Sequence, residues 1–297
     1  MTRAAVALCV LALAAAGCGG RGAAARDGRP VVVATTTQLA DLARNVAGGR
    51  AQVVGLLAPN TDPHSYEVRP RDVKALERAT LVLRSGGDVD GWLHGAIDAS
   101  GTRAPVLTAL DRVPEDGADP HWWQDPGDAE RVVAAIRDAF SRADPAGAAL
   151  YRANAARYEA RLRGLDRAVA GCLDRVPPGR RTLVTTHDAF GYYARRYGIR
   201  IVGTVIPSLS TEAQPSAGAT ARLIATIRRT GVRAVFAENS VNPKLADVIA
   251  GETGARVGSD LWGDSLGPAG SDGATYLGAI AANTDAIARG LGVRCSL

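Results

Sequence analysis

Two of the chain's four histidines stand in one local frame, Asp62-Pro63-His64 in NTDPHSYE and Asp119-Pro120-His121 in ADPHWWQDP. A third, His187, closes the run TLVTTH at 182–187, and a carboxylate, Asp264, lies in LWGDSLG. Three imidazoles and one carboxylate suit a borderline divalent cation. Nitrogen donors favour zinc among the available ions, one negative charge partly offsets Zn2+, and four protein ligands close the shell. A single histidine is more often a packing or surface residue than a ligand. Three of four, two of them in the same motif, point to metal binding. The remaining one, His94, has no partner nearby in the segment 89–98 and reads as a surface histidine.

The neighbours of these residues have structural readings. Each Asp-Pro pair fixes an extended backbone entering the histidine, because proline disfavours the helical region for the residue before it. Trp122 and Trp123 read as packing that keeps water from the site. Glu238, at the end of VRAVFAE, reads as a carboxylate bonded to a ligating imidazole or a loop, with direct ligation as the alternative.

The elements that must position these residues follow from periodicity. Short β-branched runs (31–35, 53–57, 80–85, 105–110) alternate with amphipathic segments, a βαβ rhythm. Asp125-Pro126 suits the cap and first turn of a helix reaching about Ala143. From Tyr151 through Ala155, Tyr158, Leu162, Leu165, Val169 and Cys172 to Val176 the buried-type residues recur every three or four positions, predicting one helix of roughly 27 residues, on the order of 40 Å. Pro177-Pro178-Gly179 stops it, and the βα rhythm resumes at 182–187, 199–206, 232–238 and 255–261, with a last helix from about Tyr276. The fold class is therefore α/β, two lobes and one helical strut. In such sheets ligands gather beyond the carboxyl ends of the strands, where His64, His121, His187 and Asp264 all fall.

The ends of the chain speak to compartment. Residues 1–17, MTRAAVALCVLALAAAG, have Arg3 followed by an apolar stretch too short and alanine-rich for a good membrane span, the pattern of an export signal. Leu13 to Gly17 before Cys18 resemble a bacterial lipobox, with Cys18 as the lipidated residue; the alternative is a plain secretory signal cut near Ala16. Residues 18–30 read as a flexible tether. With Cys9 removed and Cys18 acylated, only Cys172 and Cys295 remain in an oxidising compartment, and a disulfide between them is the economical reading, two separate buried thiols the alternative. The net charge of +5 comes almost wholly from arginine and forms no basic run, so nucleic acid is not expected as a partner.

DPHSYE, DPHWWQDP, TTHDAFGYYARRYG and the tail FAENSVNPKLAD…DSLG…TYLGAIAANT resemble the solute-binding proteins of zinc and manganese ABC importers, over nearly all of residues 31–291. The resemblance implies lobes at 31–146 and 178–297 joined by a linking helix at 147–177. It implies a metal between them on His64, His121, His187 and Asp264, with Glu238 and Trp123 supporting the ligands. It further implies an exported, monomeric carrier, not an enzyme, anchored through Cys18 at the outer face of the cytoplasmic membrane, with the periplasm as the alternative. Its partners would be an importer permease and a metal chaperone. Manganese members often resemble this block with Glu in the third ligand place; His187 there favours Zn2+, with Mn2+ as the alternative. Trp262-Gly263 departs from the more usual Tyr-Ser before the last ligand, and no His-rich loop lies between the first two. A secreted zinc hydrolase is the rival from another class, with Glu67 or Glu238 as general base. It lacks HExxH spacing, and a fourth protein ligand would displace the activated water.

Overall fold

The computed structural model describes residues 28–297 apart from 116, 259 and 296. The signal segment 1–17, Cys9, Cys18 and most of the tether lie outside the described residues. Among the described residues no helix is long and apolar enough to cross a membrane.

The chain runs β1 (Val31–Ala34), α1 (Thr37–Ala47), β2 (Gln52–Gly55), α2 (Pro70–Glu77), β3 (Leu81–Arg84), α3 (Leu93–Ser100), β4 (Val106–Thr108), α4 (Pro126–Ala143) and α5 (Ala148–Leu173). It continues with β5 (Thr182–Thr185), α6 (Gly191–Tyr197), β6 (Arg200–Thr204), α7 (Ala217–Thr230), β7 (Ala234–Val235), α8 (Lys244–Thr253), β8 (Arg256–Val257) and α9 (Tyr276–Gly290). The first four strands form one parallel sheet in the order β2-β1-β3-β4. In the second lobe β5 pairs with β6 and β7 with β8, and the pairs are joined by a Thr185–Phe236 bridge and by Phe236 N–H donating to Val184 O at 2.9 Å. The resulting order, β6-β5-β7-β8, repeats that of the first sheet element for element.

Strand periodicity sets the layers. Successive residues point to opposite faces, so Val32, Ala34, Leu81 and Leu83 join the core between the sheets, whereas Val33 and Val82 pack outward under α2 and α3. In lobe two Leu183 and Phe236 face inward, Val184 and Val235 outward under α7 and α8. The inner core is continuous across both lobes and takes in Phe140, Tyr151, Leu162, Tyr193 and Ile287.

Helix α5 runs through that core. It packs on α4 and α1 on one side and on α9 and α6 on the other, presenting Tyr151, Ala155, Tyr158, Leu162, Val169 and Cys172 as its buried stripe. It begins three residues before the expected Tyr151 and ends three before Val176, close to the stop that Pro177 and Pro178 impose. The α4 expectation holds in detail: Asp125 accepts from Gly127 N–H at 2.7 Å and Pro126 occupies the first turn. At the end of α5, Cys172 is joined to Cys295 by a disulfide with Cα atoms 5.7 Å apart, across 123 residues. Closing a loop of that length is worth about 4–5 kcal/mol in the chain-entropy model.

Candidate metal centre

Each of the four residues lies beyond the carboxyl end of a strand: His64 after β2, His121 after β4, His187 after β5 and Asp264 after β8. Both sheets point these ends at one another, and the four donor atoms all lie within 4.8 Å of one another. Asp264 Oδ2 is 3.1 Å from His187 Nε2 and 3.4 Å from His64 Nε2, while Oδ1 is 3.4 Å from His121 Nε2. Zinc bonds of about 2.0–2.1 Å in a tetrahedron put neighbouring donors about 3.3 Å apart, close to the three carboxylate–imidazole distances here. The three rings stand 5.2–5.8 Å apart, centroid to centroid, none stacked face to face.

Two of the histidine rings meet a carboxylate from behind, and the third histidine is fixed through its backbone. His121 N–H donates to Asp119 Oδ1 at 3.0 Å, and the same oxygen lies 2.7 Å from His121 Nδ1. A carboxylate only accepts, so Nδ1 carries the hydrogen and the Nε2 lone pair faces the centre. His187 N–H donates to Glu238 Oε1 at 2.9 Å, and Glu238 Oε2 is 2.9 Å from His187 Nδ1. That second contact has the length of a hydrogen bond without forming one. It is better described as an ion-pair contact that orients the ring. His64 N–H donates to Asp62 Oδ1 at 2.9 Å, and Trp92 Nε1–H donates to Pro63 O at 3.0 Å.

Asp264 is held differently, through the backbone around it. Trp262 bonds at both N–H and O to the Asn283 amide, at 2.7 and 2.9 Å. Gly263 O accepts from Trp123 Nε1–H at 2.9 Å and from Gln124 Nε2–H at 3.0 Å, both on the turn that follows His121. Leu266 N–H donates to Thr37 Oγ1 at 2.8 Å, and Asn60 N–H donates to Leu266 O at 3.1 Å. Residues of both lobes thus clamp one loop.

Burial pulls the His187 and His64 imidazoles towards lower pKa, but the facing carboxylates prevail. His187 is held well above its ordinary value by Glu238 and Asp264, and His64 is raised by Asp264. Burial would raise Asp264, yet the charges of His187 and His121 hold it well below the carboxylate range. The Nε2 atoms of His64, His121 and His187 and both oxygens of Asp264 are buried without a hydrogen-bond partner among the described residues. Five converging orphan donors are costly unless something fills the space between them, and a cation fits that donor set.

The structure brings all four sequence-derived residues together and leaves His94 exposed on α3. Trp122 and Trp123 are fully buried, as expected of water-excluding packing, and Trp123 meets the His121 ring edge to face at 5.2 Å between centroids. Sequence reasoning missed the ring contact of Asp119 and the roles of Gln124, Thr37, Asn60 and Asn283. Only the first had a local signal, a carboxylate two residues before a histidine.

Relatives carry the same architecture. The chain is 33% identical over 282 residues to the zinc-binding protein TroA of Treponema pallidum, covering 90% of this chain and 91% of that one. It is 29% identical over 289 residues to the manganese-binding lipoprotein MntA of Halalkalibacterium halodurans, covering 95% and 96%. The solved structure of the periplasmic zinc-binding protein TroA superposes with a TM-score of 0.84 at 29% identity, over 89% of this chain and 99% of that one. These relatives are named for binding a metal, none for catalysing a reaction. Residues 32–290 match the family described as zinc-uptake complex component A, periplasmic, and the chain belongs to that family.

Proposed function

We propose that this protein captures Zn2+ outside the cytoplasm on His64, His121, His187 and Asp264 and delivers it to the membrane permease of an ABC-type importer. The observation that carries the reading is the set of five buried, unpartnered donor atoms facing one point. Three imidazole nitrogens favour zinc. Manganese is the second reading, supported by the name of the MntA relative. The carboxylate in the fourth place and the family of the chain both speak against a hydrolase.

The wider assignments belong to the same proposal. The lobes span 31–146 and 178–297 with 147–177 between them, a division supported by α5 packing on helices of both. Cys18 carries the lipid anchor. The carrier is a monomer on the resemblance, a reading supported by one chain supplying the whole donor set. A metal chaperone is a further partner on the resemblance alone.

Calorimetric titration of protein purified without chelator should find one Zn2+ per chain and a higher melting temperature when loaded, because a ligand of the folded state stabilises it by mass action. Mn2+ should bind more weakly. A thermal shift with Mn2+ and none with Zn2+ would transfer the site to manganese, and two tight ions per chain would break the single-centre reading.

A further inference from the structure

Asp264 lies on a short arc of chain, residues 263–266, and one residue is engaged at both ends of it. At the near end the Trp262 backbone is bonded through N–H and O to the Asn283 amide on α9. Past the far end the chain folds back against the indole of the same tryptophan. A Cβ at Gly267 would meet the Ser271 hydroxyl and then the outer edge of the indole, Cη2 at 2.6 Å and Cζ3 at 2.8 Å. A Cβ at Gly273 would overlap the ring itself, at Cε2, Cδ2 and Nε1. Neither glycine has a positive φ, so it is the indole, not the backbone conformation, that leaves no room for a side chain there.

The loop closes around this ring. Gly267 N–H donates to Gly273 O at 2.8 Å, Ser271 N–H and Oγ–H donate to Pro268 O at 3.0 and 2.8 Å, and Trp262 Nε1–H donates to Asp272 Oδ1 at 3.1 Å. The bonds that reach the arc from Thr37, Asn60, Trp123 and Gln124 all come from lobe one. The indole belongs to lobe two, the lobe of Asp264, and holds the arc whether or not lobe one is in place. Without it the loop would lose its filling, and Asp264 would spend part of its time away from the centre. Apparent affinity falls in proportion to the fraction of molecules in the binding-competent arrangement.

We propose that Trp262 is a positioning residue for metal binding: its backbone fixes the start of the arc, its indole, seated against Gly267 and Gly273, fixes the end, and Asp264 is thereby held at the centre. The inference rests on the zinc-capture reading above. The ring, more than its N–H, carries the effect, so the tyrosine more usual at this place would serve nearly as well.

The test compares zinc affinity by chelator competition in the parent, Trp262→Ala and Trp262→Tyr. Trp262→Ala should weaken binding roughly 10–100-fold, the range of residues that support a ligand. Trp262→Tyr keeps a ring in the seat and loses only the exposed bond to Asp272, so about threefold or less is expected. Loss of stability alone is read from Ile227→Ala, in the outer core of lobe two, which should lower the metal-free melting temperature yet leave affinity within about twofold. If Trp262→Ala fails to fold, Trp262→Leu keeps apolar bulk without a ring that spans both glycines and takes its place in the comparison; failure of both overturns the proposal, because the residue then serves the fold as a whole. Unchanged affinity in Trp262→Ala, a tyrosine variant as weak as the alanine one, or an equal loss in Ile227→Ala overturns it while leaving zinc capture intact. A parent protein that binds no zinc ends both.

Discussion

Asp62-Pro63-His64 and Asp119-Pro120-His121 share three residues and a backbone turn, in which the aspartate Oδ1 accepts the histidine N–H at 2.9 and 3.0 Å. Beyond that turn they diverge. Asp119 Oδ1 also reaches the ring of its own histidine, His121 Nδ1 at 2.7 Å, and the ring is packed against Trp123 with no exposure. Asp62 instead gives its second oxygen to lobe two, where the Thr211 hydroxyl donates to Oδ2 at 2.6 Å. The loop before His64 crosses the cleft twice more: Asn60 N–H donates to Leu266 O, and Asn239 Nδ2–H donates to Asn60 Oδ1 at 2.9 Å. Asn60, at φ 59°, is the only non-glycine residue with positive φ among those described, which marks the bend that brings the loop over. One motif's aspartate anchors the ring of its own histidine; the other's aspartate ties its loop to the opposite lobe. A repeated sequence motif therefore specifies the turn, while the surroundings specify what the turn does.

Removing the rings should separate the two most strongly. His121→Ala and His64→Ala should each lower zinc affinity by more than the roughly 100-fold upper range of orienting residues, because each deletes a donor. The metal-free proteins should differ. His121→Ala empties a packed space and should lower the melting temperature by about 5 °C or more, whereas His64→Ala should lower it by less than half as much. Calorimetric melting in the presence of chelator reads this directly, and equal losses would erase the distinction between anchored and tied.

Changing the aspartates probes the next level. Asp119→Asn keeps an oxygen for the His121 N–H but replaces the charged acceptor at Nδ1, so affinity should fall roughly 10–100-fold. Asp62→Asn keeps the same backbone turn and touches no ring nitrogen, so its effect on equilibrium affinity should be smaller. Chelator competition on both variants checks the ranking; the reverse order would mean that Asp62 orients His64 as Asp119 orients His121.

This contrast also marks the boundary of what the sequence discloses. The four donors are legible because each stands at the end of a β-branched run or in the loop that follows one, and parallel α/β sheets gather their ligands there. Asp125-Pro126 located the start of α4 because capping is local chemistry. Helix α5 starts ahead of its apolar period, since Ala148 and Ala149 do not extend that period and Leu150 is 42% exposed. The runs 232–238 and 255–261 shrink to two-residue strands continued by single bridges. Their carboxyl ends leave the sheet towards Glu238 and the Asp264 loop, so a full strand was the wrong shape for them. The cross-cleft bonds had no signal at all: Thr37 and Leu266 are 229 residues apart, Asp62 and Thr211 149, and a single sequence does not say which polar side chains will meet.

The smallest expected effect tests the tie itself. Thr211→Val keeps the shape of the side chain and removes only the donor to Asp62 Oδ2. A hydrogen bond to a charged group is worth about 1.5–3 kcal/mol, but both groups are part-buried, so water will replace some of what is lost and roughly a three- to tenfold weakening should remain. The turn at His64 survives, because Asp62 Oδ1 still accepts the histidine N–H. The donor atoms therefore keep their places in the loaded protein, and the change should appear in how readily the His64 loop leaves lobe two. Zinc release into excess chelator, followed by stopped flow, should be faster by the same factor, with the association rate unchanged. An unaltered release rate would mean that the bond from Thr211 does not restrain the loop, and that Asn60 and Asn239 alone join it to the far lobe.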